Sequence, residues 1–387
     1  MAEGEMKRSR IVIDLVPIRP GVGGSGSGIW THARHLVQEL DRLDLQDLEI
    51  HCLITPSHRP FFAELRNIHL HEFKELGQGI LPRLLWIHAR LPLICGRLKA
   101  KVLHKLATET PLFLAARRVT TVHDFFNEFM QEEQQVSTGA AGRYFAWMTR
   151  VGFRKSRTVI TVSEAMRDEA LVRYPGATEV VAIHNGVDLP KPHRSTPNKE
   201  GSSPFTILYV AKFMPYKGQQ QAVDAFERLL TQWPQLVGKA RLVMHGFSND
   251  EAYYEGLQQR IGTGVLAGSV EIRPYDRSKS IEEIYAEANL FLFLTRYEGF
   301  GLPVVEAQAL DIPVICSDIP VLREVGGEGA WYVNPDQAEA VAIDLERIIR
   351  DPQERDALVE AGRTNIKRFS WTKMAKATAE VYRNASR

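Results

Sequence analysis

Short apolar runs alternate with amphipathic segments along almost the whole chain. The first run is RIVIDLV (Arg10–Val16), and a glycine-rich loop, PGVGGSGSG, and a helical pattern, IWTHARHLVQEL, follow it. A second run, FTILYVA (Phe205–Ala211), begins the same order of strand, loop and helix. Because strands that alternate with helices form parallel sheets, the pattern predicts an α/β fold with two doubly wound, Rossmann-like domains.

Further runs of strand length occur in both halves. They are EIHCLIT, KVLHK, RVTTVHD and TVITVS in the first half, and ARLVMHG, SVEIRPY, LFLFLT and PVICSD in the second. Ligands of doubly wound folds bind at the carboxyl ends of the strands. We therefore expect the two domains to face a central cleft that holds the functional site.

A polar segment, LPKPHRSTPNKEGSSP (189–204), separates the two halves. It is rich in Pro, Ser and Lys, which is typical of an exposed linker. We predict an N-terminal domain over residues 1–190, a linker over 191–204 and a C-terminal domain over 205–370. The last segment, 371–387, has a helical pattern and is interpreted as a helix that can pack back on the N-terminal domain.

Composition and charge exclude several classes of protein. The 387 residues are 44% hydrophobic and 25% charged, as in a globular protein, and the net charge of +1 gives no field typical of a nucleic-acid-binding protein. No apolar run approaches the roughly 18 residues of a membrane-spanning helix, and the first ten residues lack the apolar core of a signal peptide. Three widely spaced cysteines (Cys52, Cys95 and Cys316) favour a reduced, cytoplasmic chain.

The most informative segment is TRYEGFGLPVVEAQALDIPVICSD (Thr295–Asp318). Gly299 and Gly301 allow a sharp backbone turn after a strand, and Pro303 suits the first turn of a helix. Such a helix start offers unpaired N–H groups to a phosphate, while Glu306 can accept two hydrogen bonds from a vicinal diol such as ribose. The spacing alone is equally compatible with a plain strand–helix turn that has a capping glutamate.

EGFGLPVVEA, with its two glutamates eight residues apart, closely resembles the signature of the family 4 retaining glycosyltransferases, which have the two-domain GT-B fold. The resemblance covers nearly the whole chain in the family's order. It includes TVHD (Thr121–Asp124), VSEAMRDEAL (Val162–Leu171), NGVD (Asn185–Asp188), SDIPVLREVGGEGAWYVNP (Ser317–Pro335) and RFSW (Arg368–Trp371).

The resemblance implies donor-binding roles in the second domain. Glu298 would contact the hydroxyls of the donor sugar, and Glu306 would bind the ribose. Lys212 and Lys217 stand where the family usually has Arg and Lys that grip the diphosphate; Lys212 keeps the charge but lacks the planar fork of Arg. Without the surrounding pattern, a solvated loop would be the favoured interpretation of these lysines. Backbone contacts to sugar and phosphate oxygens are implied for Gly299, Phe300, Gly301 and Leu302.

Other implied contacts concern the nucleobase and the first domain. Arg273 and Tyr275 match the place where relatives contact the base, without deciding between guanine, uracil and thymine. His123 would hydrogen-bond the transferring sugar, although a lone histidine at a strand end is more often structural. Gly24 and Gly28 are our candidates for backbone approach to the diphosphate and acceptor, since the glycine-rich loop does not match the dinucleotide fingerprint.

The implied reaction is the retaining transfer of a hexosyl unit from a nucleoside-diphosphate sugar to a glycan or lipid-linked saccharide. Overall likeness to bacterial polysaccharide mannosyltransferases favours GDP-mannose and a role in polysaccharide or lipopolysaccharide biosynthesis; UDP- and dTDP-sugars stay open. We expect no metal and no further cofactor, because positive groups would assist the leaving diphosphate. The alternatives are a nucleotide-sugar epimerase of GT-B architecture, which needs no acceptor, and a non-catalytic sugar-nucleotide-binding protein.

Residues 78–108 form a locally basic segment without Asp or Glu. Within it, LPRLLWIHARLPLICGRL interleaves Leu, Ile and Trp86 with arginines, which is typical of a segment that lies in a membrane interface. We expect peripheral contact with an anionic membrane at its cytoplasmic face. The alternative is a core-packing helix with a solvated basic face, broken at Pro92. The cations of the segment are Arg83, Arg90, Arg97, Lys99, Lys101 and Lys105.

Overall fold

Two parallel β-sheets, each with its own helices, make up the computed structural model, which describes residues 8–20, 28–134, 140–188, 204–248, 250–274, 276 and 279–387. The described residues belong to two units. Unit 1 contains residues 8–186 and 370–387, and unit 2 contains residues 187–369, with the gaps just given. Gly24, Tyr275 and nearly all of the predicted linker lie outside the described residues.

The sheet of unit 1 has seven strands in the order β3-β2-β1-β4-β5-β6-β7, and all its pairings are parallel. The order reverses between β1 and β4, which is where doubly wound sheets bind ligands. The strands are β1 (Ser9–Asp14), β2 (Leu48–Ile54), β3 (His69–Glu72), β4 (Val102–Lys105), β5 (Arg117–Val122), β6 (Thr158–Thr161) and β7 (Val180–Ala182).

In the described part of unit 1, six α-helices precede the start of unit 2 in the chain. At the start of the sixth, the Ser163 hydroxyl accepts a hydrogen bond from the Met166 amide, which satisfies one of the unpaired N–H groups of the first turn. The helices are α1 (Gly28–Arg42), α2 (Ile80–Leu85), α3 (Leu91–Arg97), α4 (Phe126–Gln134), α5 (Ala140–Lys155) and α6 (Glu164–Arg173).

The sheet of unit 2 has six parallel strands in the order β10-β9-β8-β11-β12-β13, and its order reverses between β8 and β11. All four residues of β11 are buried, as expected for a strand covered on both faces. The strands are β8 (Phe205–Val210), β9 (Ala240–Gly246), β10 (Val270–Pro274), β11 (Leu290–Phe293), β12 (Val314–Ser317) and β13 (Ala330–Val333).

Among the residues that the structure describes in unit 2, seven α-helices accompany this second sheet. They are α7 (Gln219–Gln232), α8 (Glu251–Ile261), α9 (Ile281–Tyr285), α10 (Leu302–Ala309), α11 (Pro320–Gly326), α12 (Ala338–Arg350) and α13 (Pro352–Asn365). The alternation of strand and helix in both units confirms the predicted α/β class with two doubly wound parallel sheets.

The chain returns to unit 1 through its last helix, α14 (Trp371–Ser386). The Trp371 ring stacks on His35 of α1 with centroids 4.2 Å apart. The buried Tyr382 hydroxyl lies 2.6 Å from His104 Nδ1. Gly186 fits against the start of α14, because a Cβ at this position would lie 2.2 Å from the Trp371 nitrogen.

The basic segment is folded into the core of unit 1 along one side. A π-helical turn over Trp86–Arg90 joins α2 to α3. Trp86 is 1% exposed and its indole N–H donates to Asp14 at 3.2 Å, so the expectation that this tryptophan lies in a membrane interface is wrong. The most exposed apolar side chains of α2 and α3 are Leu81, Leu85 and Leu93, which are 64%, 55% and 63% exposed. No helix among the described residues is long and apolar enough to span a bilayer.

We predict that Gly186→Ala lowers the free energy of unfolding by about 2 kcal/mol or more, because the added methyl group overlaps the backbone of α14. Gly256→Ala is the matched control, since Gly256 lies inside α8 with open space around its Cβ position. The control should be neutral or stabilising by about 0.5–1 kcal/mol. Urea unfolding of both variants tests the prediction; equal stability of the two would contradict the close packing of α14.

Candidate active site

In unit 2, the loops that follow β8 and β11 bring a lysine and a glutamate together. Lys217 ends a short 3₁₀ turn, Pro215–Lys217, and its Nζ lies 2.5 Å from Glu298 Oε1. Both side chains are only 14% exposed. Because β8 and β11 are neighbours at the reversal of strand order, this ion pair lies where a doubly wound sheet binds its ligand.

Buried groups hold the two loops close together. The hydroxyl of Tyr209, in β8, donates to the carbonyl of Lys217 and accepts a hydrogen bond from the Leu294 amide at 3.0 Å. Gly218 has a φ of +75°, and a Cβ there would lie 1.9 Å from the Leu294 carbonyl oxygen. Only glycine allows both this left-handed backbone and this close approach.

Lys212 lies on the same loop and is half-buried. Its Nζ is 5.6 Å from the centre of the Phe247 ring, and its carbonyl accepts a hydrogen bond from Gln219 Nε2 at 2.8 Å. Burial and the nearby charge of Lys217 lower the pKa of Lys212. Two ammonium groups that repel each other in this way are stabilised by an anion between them, so the loop suits a diphosphate.

Helix α10 begins as the glycine pattern predicts. Gly301 caps it in the left-handed region (φ +92°), and Pro303 lies in the first turn. Phe300 is buried edge-on against Phe369, with centroids 5.6 Å apart, which anchors the loop before the helix. The backbone from Gly299 to Leu302 therefore presents a helix N-terminus, which favours negative charge.

Glu306 lies one turn inside α10 and is partly buried. The hydroxyl of Tyr285 donates to its Oε2 at 3.2 Å. Burial is the main cause that raises the pKa of Glu306 to about 7. Its carboxylate is thus a hydrogen-bond acceptor whose charge changes near neutral pH.

Arg273 lies near the carboxyl end of β10, but its guanidinium is already engaged. It pairs with Glu271, at 2.7 Å from Nε to Oε1, and with Glu287. Because two carboxylates surround the Arg273 guanidinium, the backbone of Arg273 is the part that suits a contact with a nucleobase. Tyr275, the other residue predicted at this place, lies outside the described residues.

In unit 1, His123 follows β5 and lines a pocket of about 190 Å³. Its Nε2 is buried and has no hydrogen-bond partner among the described residues. The His123 ring meets His32 edge-on at 4.8 Å, and His32 Nδ1 donates to Asn185 Oδ1 at 2.7 Å. Burial lowers the pKa of His123 well below its usual value and that of His32 to about 4. Both rings are therefore neutral hydrogen-bonding groups at physiological pH.

The rest of this pocket is lined by both polar and apolar side chains. Its wall includes an ion pair between Arg83 of α2 and Glu109, 2.6 Å apart, together with Asp124 and Thr149. Carboxylates and hydroxyls in a small concave site suit a ligand rich in hydroxyl groups. Gly28, the other residue predicted in unit 1, is the first residue of α1, and Gly24 lies outside the described residues.

Unit 1 contains a buried ion pair that we did not predict from the sequence. Lys105 Nζ, at the end of β4, lies 2.5 Å from Asp14 Oδ2, at the end of β1, and Trp86 donates to the same carboxylate. The two charged side chains are 2% and 0% exposed. A usable signal was present, since Asp14 and Lys105 are charged residues at the ends of otherwise apolar runs.

The geometry thus groups the predicted residues by unit. Unit 2 contains the predicted donor-binding residues, which are Lys212, Lys217, Arg273, Glu298, Glu306 and the start of α10. Unit 1 contains His123 and Gly28. Tyr209, Tyr285, His32 and Asn185 were not predicted as functional residues. Among the described residues, no group of three or more His, Cys, Asp or Glu side chains is arranged to hold a metal ion.

Comparison with known proteins decides the family. The sequence model described as "Glycosyltransferase Family 4" matches residues 26–191, and that described as "Glycosyl transferases group 1" matches residues 192–365. The chain belongs to the family 4 glycosyltransferases. The predicted family and enzyme class are thereby confirmed, and glycosyltransferases of this group use nucleotide-sugar donors.

Relatives and solved structures agree with this assignment. O-antigen chain mannosyltransferase B of Escherichia coli is 25% identical over 69% of this chain and 70% of its own length. Alpha-maltose-1-phosphate synthase of Mycolicibacterium smegmatis is 25% identical over 94% and 96%. HepE from Anabaena, solved in complex with UDP-glucose, aligns with a TM-score of 0.73 and 17% identity over 97% of this chain and 99% of its own. Such structural neighbours confirm the GT-B fold.

We predict that Lys105→Met destabilises the protein by about 3–5 kcal/mol, because it leaves the Asp14 carboxylate buried without its cation. The double variant Asp14→Asn with Lys105→Met removes both charges and keeps an acceptor for the Trp86 indole. It should recover most of the lost stability in urea unfolding. A double variant no more stable than Lys105→Met would contradict the buried ion pair.

Proposed function

We propose that the enzyme transfers a hexosyl unit from a nucleoside-diphosphate sugar to a saccharide acceptor, with retention and without a metal ion. The observation that carries the proposal is the Lys217–Glu298 pair beside Lys212 and the N-terminus of α10. These groups combine positive charge for a diphosphate with a carboxylate for sugar hydroxyls. Two ammonium groups and a helix N-terminus can supply the charge stabilisation that the leaving group needs.

In this proposal, donor binding exchanges the partners of the ion pair. Diphosphate oxygens take the place of Glu298 beside Lys217, and the released Glu298 carboxylate accepts hydrogen bonds from the hydroxyls of the sugar. Glu306 accepts hydrogen bonds from the ribose hydroxyls, and the backbone from Gly299 to Leu302 contacts sugar and phosphate oxygens. Arg273 contributes backbone contacts to the base, because its guanidinium is held by Glu271 and Glu287.

The transfer step then follows from this charge distribution. The bond between the anomeric carbon and the phosphate oxygen breaks, and Lys212 and Lys217 stabilise the charge that grows on the diphosphate. The acceptor hydroxyl forms its bond to the same face of the sugar, and its proton passes to the departing phosphate. No enzymic nucleophile is part of this step.

Unit 1 is proposed to bind the acceptor in the pocket that His123 lines. At the same pocket, a neutral His123 with a buried Nε2 that has no partner among the described residues can exchange a hydrogen bond with a hydroxyl of the transferring sugar, at no cost in buried charge. Gly28, at the exposed start of α1, offers backbone amides to an oxygen-rich ligand. The acceptor class that we propose for this pocket, in which carboxylates and hydroxyls lie beside apolar side chains, is a glycan or lipid-linked saccharide.

For the donor we propose GDP-mannose first, with polysaccharide or lipopolysaccharide assembly as the process served. The support is likeness to the Escherichia coli mannosyltransferase at 25% identity, while HepE, which shares the fold, was solved with UDP-glucose. The decisive test incubates the enzyme with GDP-mannose, UDP-glucose or dTDP-glucose, with and without saccharide acceptors, and determines the anomeric configuration of the product by NMR.

We predict that Lys217→Ala lowers kcat/KM for transfer by about a hundredfold or more, since it removes a charge from the leaving diphosphate. Lys239→Ala is the matched control, because Lys239 is exposed and precedes β9 at the opposite edge of the sheet.

Conversion of donor without acceptor would indicate the epimerase, and binding without turnover would indicate the non-catalytic protein. Absence of binding to every nucleoside diphosphate would overturn the proposal.

We also propose that the exposed side of α2 and α3 contacts an anionic membrane, which would place the enzyme at its cytoplasmic face. Leu81, Leu85 and Leu93 are the most exposed apolar side chains of the two helices, and Arg90 and Arg97 are exposed beside them. Apolar side chains flanked by cations suit the interface of an anionic bilayer. Lys105 and Arg83 do not contribute, since they pair with Asp14 and Glu109.

We predict that the triple variant Leu81→Ser, Leu85→Ser and Leu93→Ser loses most of its recovery with anionic vesicles in flotation. Val172→Ser is the control, because Val172 is 82% exposed on α6, away from the basic segment. Equal recovery of the wild type with neutral and anionic vesicles would remove the electrostatic part of the proposal. Unchanged flotation of the triple variant would show that this side of α2 and α3 is not the membrane contact.

A further inference from the structure

Tyr285 meets the carboxyl group of Glu306 from a different helix. It is the last residue of α9, is 1% exposed, and its ring stacks on Phe291 of β11 with centroids 5.4 Å apart. Its hydroxyl donates to Glu306 Oε2 at 3.2 Å. A phenol fixed by a buried ring has little freedom, so it restrains the carboxyl group that it contacts.

The charge on Glu306 decides what this carboxyl group can bind. A carboxylate is an acceptor at both oxygens, whereas the protonated acid becomes a donor at one of them and loses acceptor capacity for a diol. Burial, together with the carboxylates of Asp188 and Glu282, raises the pKa of Glu306, and the hydrogen bond from Tyr285 acts in the opposite direction. These are the groups that set its charge state near neutral pH.

We propose that Tyr285 is a positioning residue for donor binding, which orients the Glu306 carboxylate and keeps it an acceptor for the two ribose hydroxyls. The inference rests on the proposed function, since it takes Glu306 as the ribose ligand. By occupying a lone pair of Oε2, the Tyr285 hydroxyl fixes the plane of the carboxylate and directs the remaining lone pairs to the diol.

The expected pH dependence has a definite sign. Without the Tyr285 hydroxyl, the pKa of Glu306 rises further above its ordinary value, so the neutral acid persists to higher pH. Ribonucleotide affinity should then fall at neutral pH and return as the pH rises through the raised pKa. A purely structural defect would weaken binding to the same extent at every pH.

The test is calorimetric titration of Tyr285→Phe with GDP and with its 2′,3′-dideoxy analogue over a range of pH. We expect roughly tenfold weaker GDP affinity at pH 7, most of it regained about two pH units higher, and little change for the dideoxy analogue. Tyr332→Phe is the matched control, because the Tyr332 hydroxyl donates to the Gly327 carbonyl at 2.6 Å. Glu306→Gln should abolish the pH-dependent difference between the two ligands. If GDP does not bind, UDP with its 2′,3′-dideoxy analogue replaces it.

Two outcomes separate this inference from the proposed function. Equal affinity of the wild type for ribose and dideoxy nucleotides would show that Glu306 is not a ribose ligand, and both assignments would fall. A preference for ribose that Tyr285→Phe leaves unchanged, or weakens equally at every pH, would overturn the inference about Tyr285 alone. Tyr285→Phe removes one oxygen atom and keeps the ring against Phe291, and its thermal unfolding beside Tyr332→Phe checks that it is folded.

Discussion

The Lys217–Glu298 ion pair is the contact on which the candidate donor site depends. Its partners are 81 residues apart in sequence, and they meet because β8 and β11 are neighbours at the reversal of strand order. The contact requires that the two loops approach within van der Waals distance, which Gly218 permits and the Tyr209 hydroxyl maintains. At 14% exposure the pair is shielded enough to be strong, yet open enough to exchange partners with a ligand.

Unit 1 has an ion pair at the same topological position, with a different consequence. Asp14 and Lys105 end β1 and β4, the strands at which its order reverses, but both are almost fully buried and Trp86 covers them. An ion pair without access to solvent cannot exchange partners with a ligand at low cost, and loss of either charge alone would leave the other buried and unpaired. An open pocket of this unit, lined by polar and apolar side chains, lies one strand further along, beyond β5, where His123 supplies a neutral group.

Local signals predicted much of the fold and part of the candidate site. Residue type and spacing predict the turn at Gly301 and Pro303, and they predict that Glu306 lies one turn into the helix. The structure has both features as expected. Trp86 shows the limit of such signals. Its arginine-rich surroundings suggested a membrane interface, but the carboxylate of Asp14, 72 residues away, provides a buried partner for the indole. Tyr285 gave no local signal, because its partner, Glu306, comes from another helix.

By itself, the sequence determined the α/β class, the family and the residue types available to a diphosphate and a sugar. These properties depend on apolar periodicity and on short motifs, which can be recognised without knowing what lies nearby. Only the tertiary structure decided which charges are paired, which side chain of the basic segment is buried, and that the pKa of Glu306 lies near 7. The physical reason is that burial and electrostatic interaction depend on neighbours that distant parts of the chain supply.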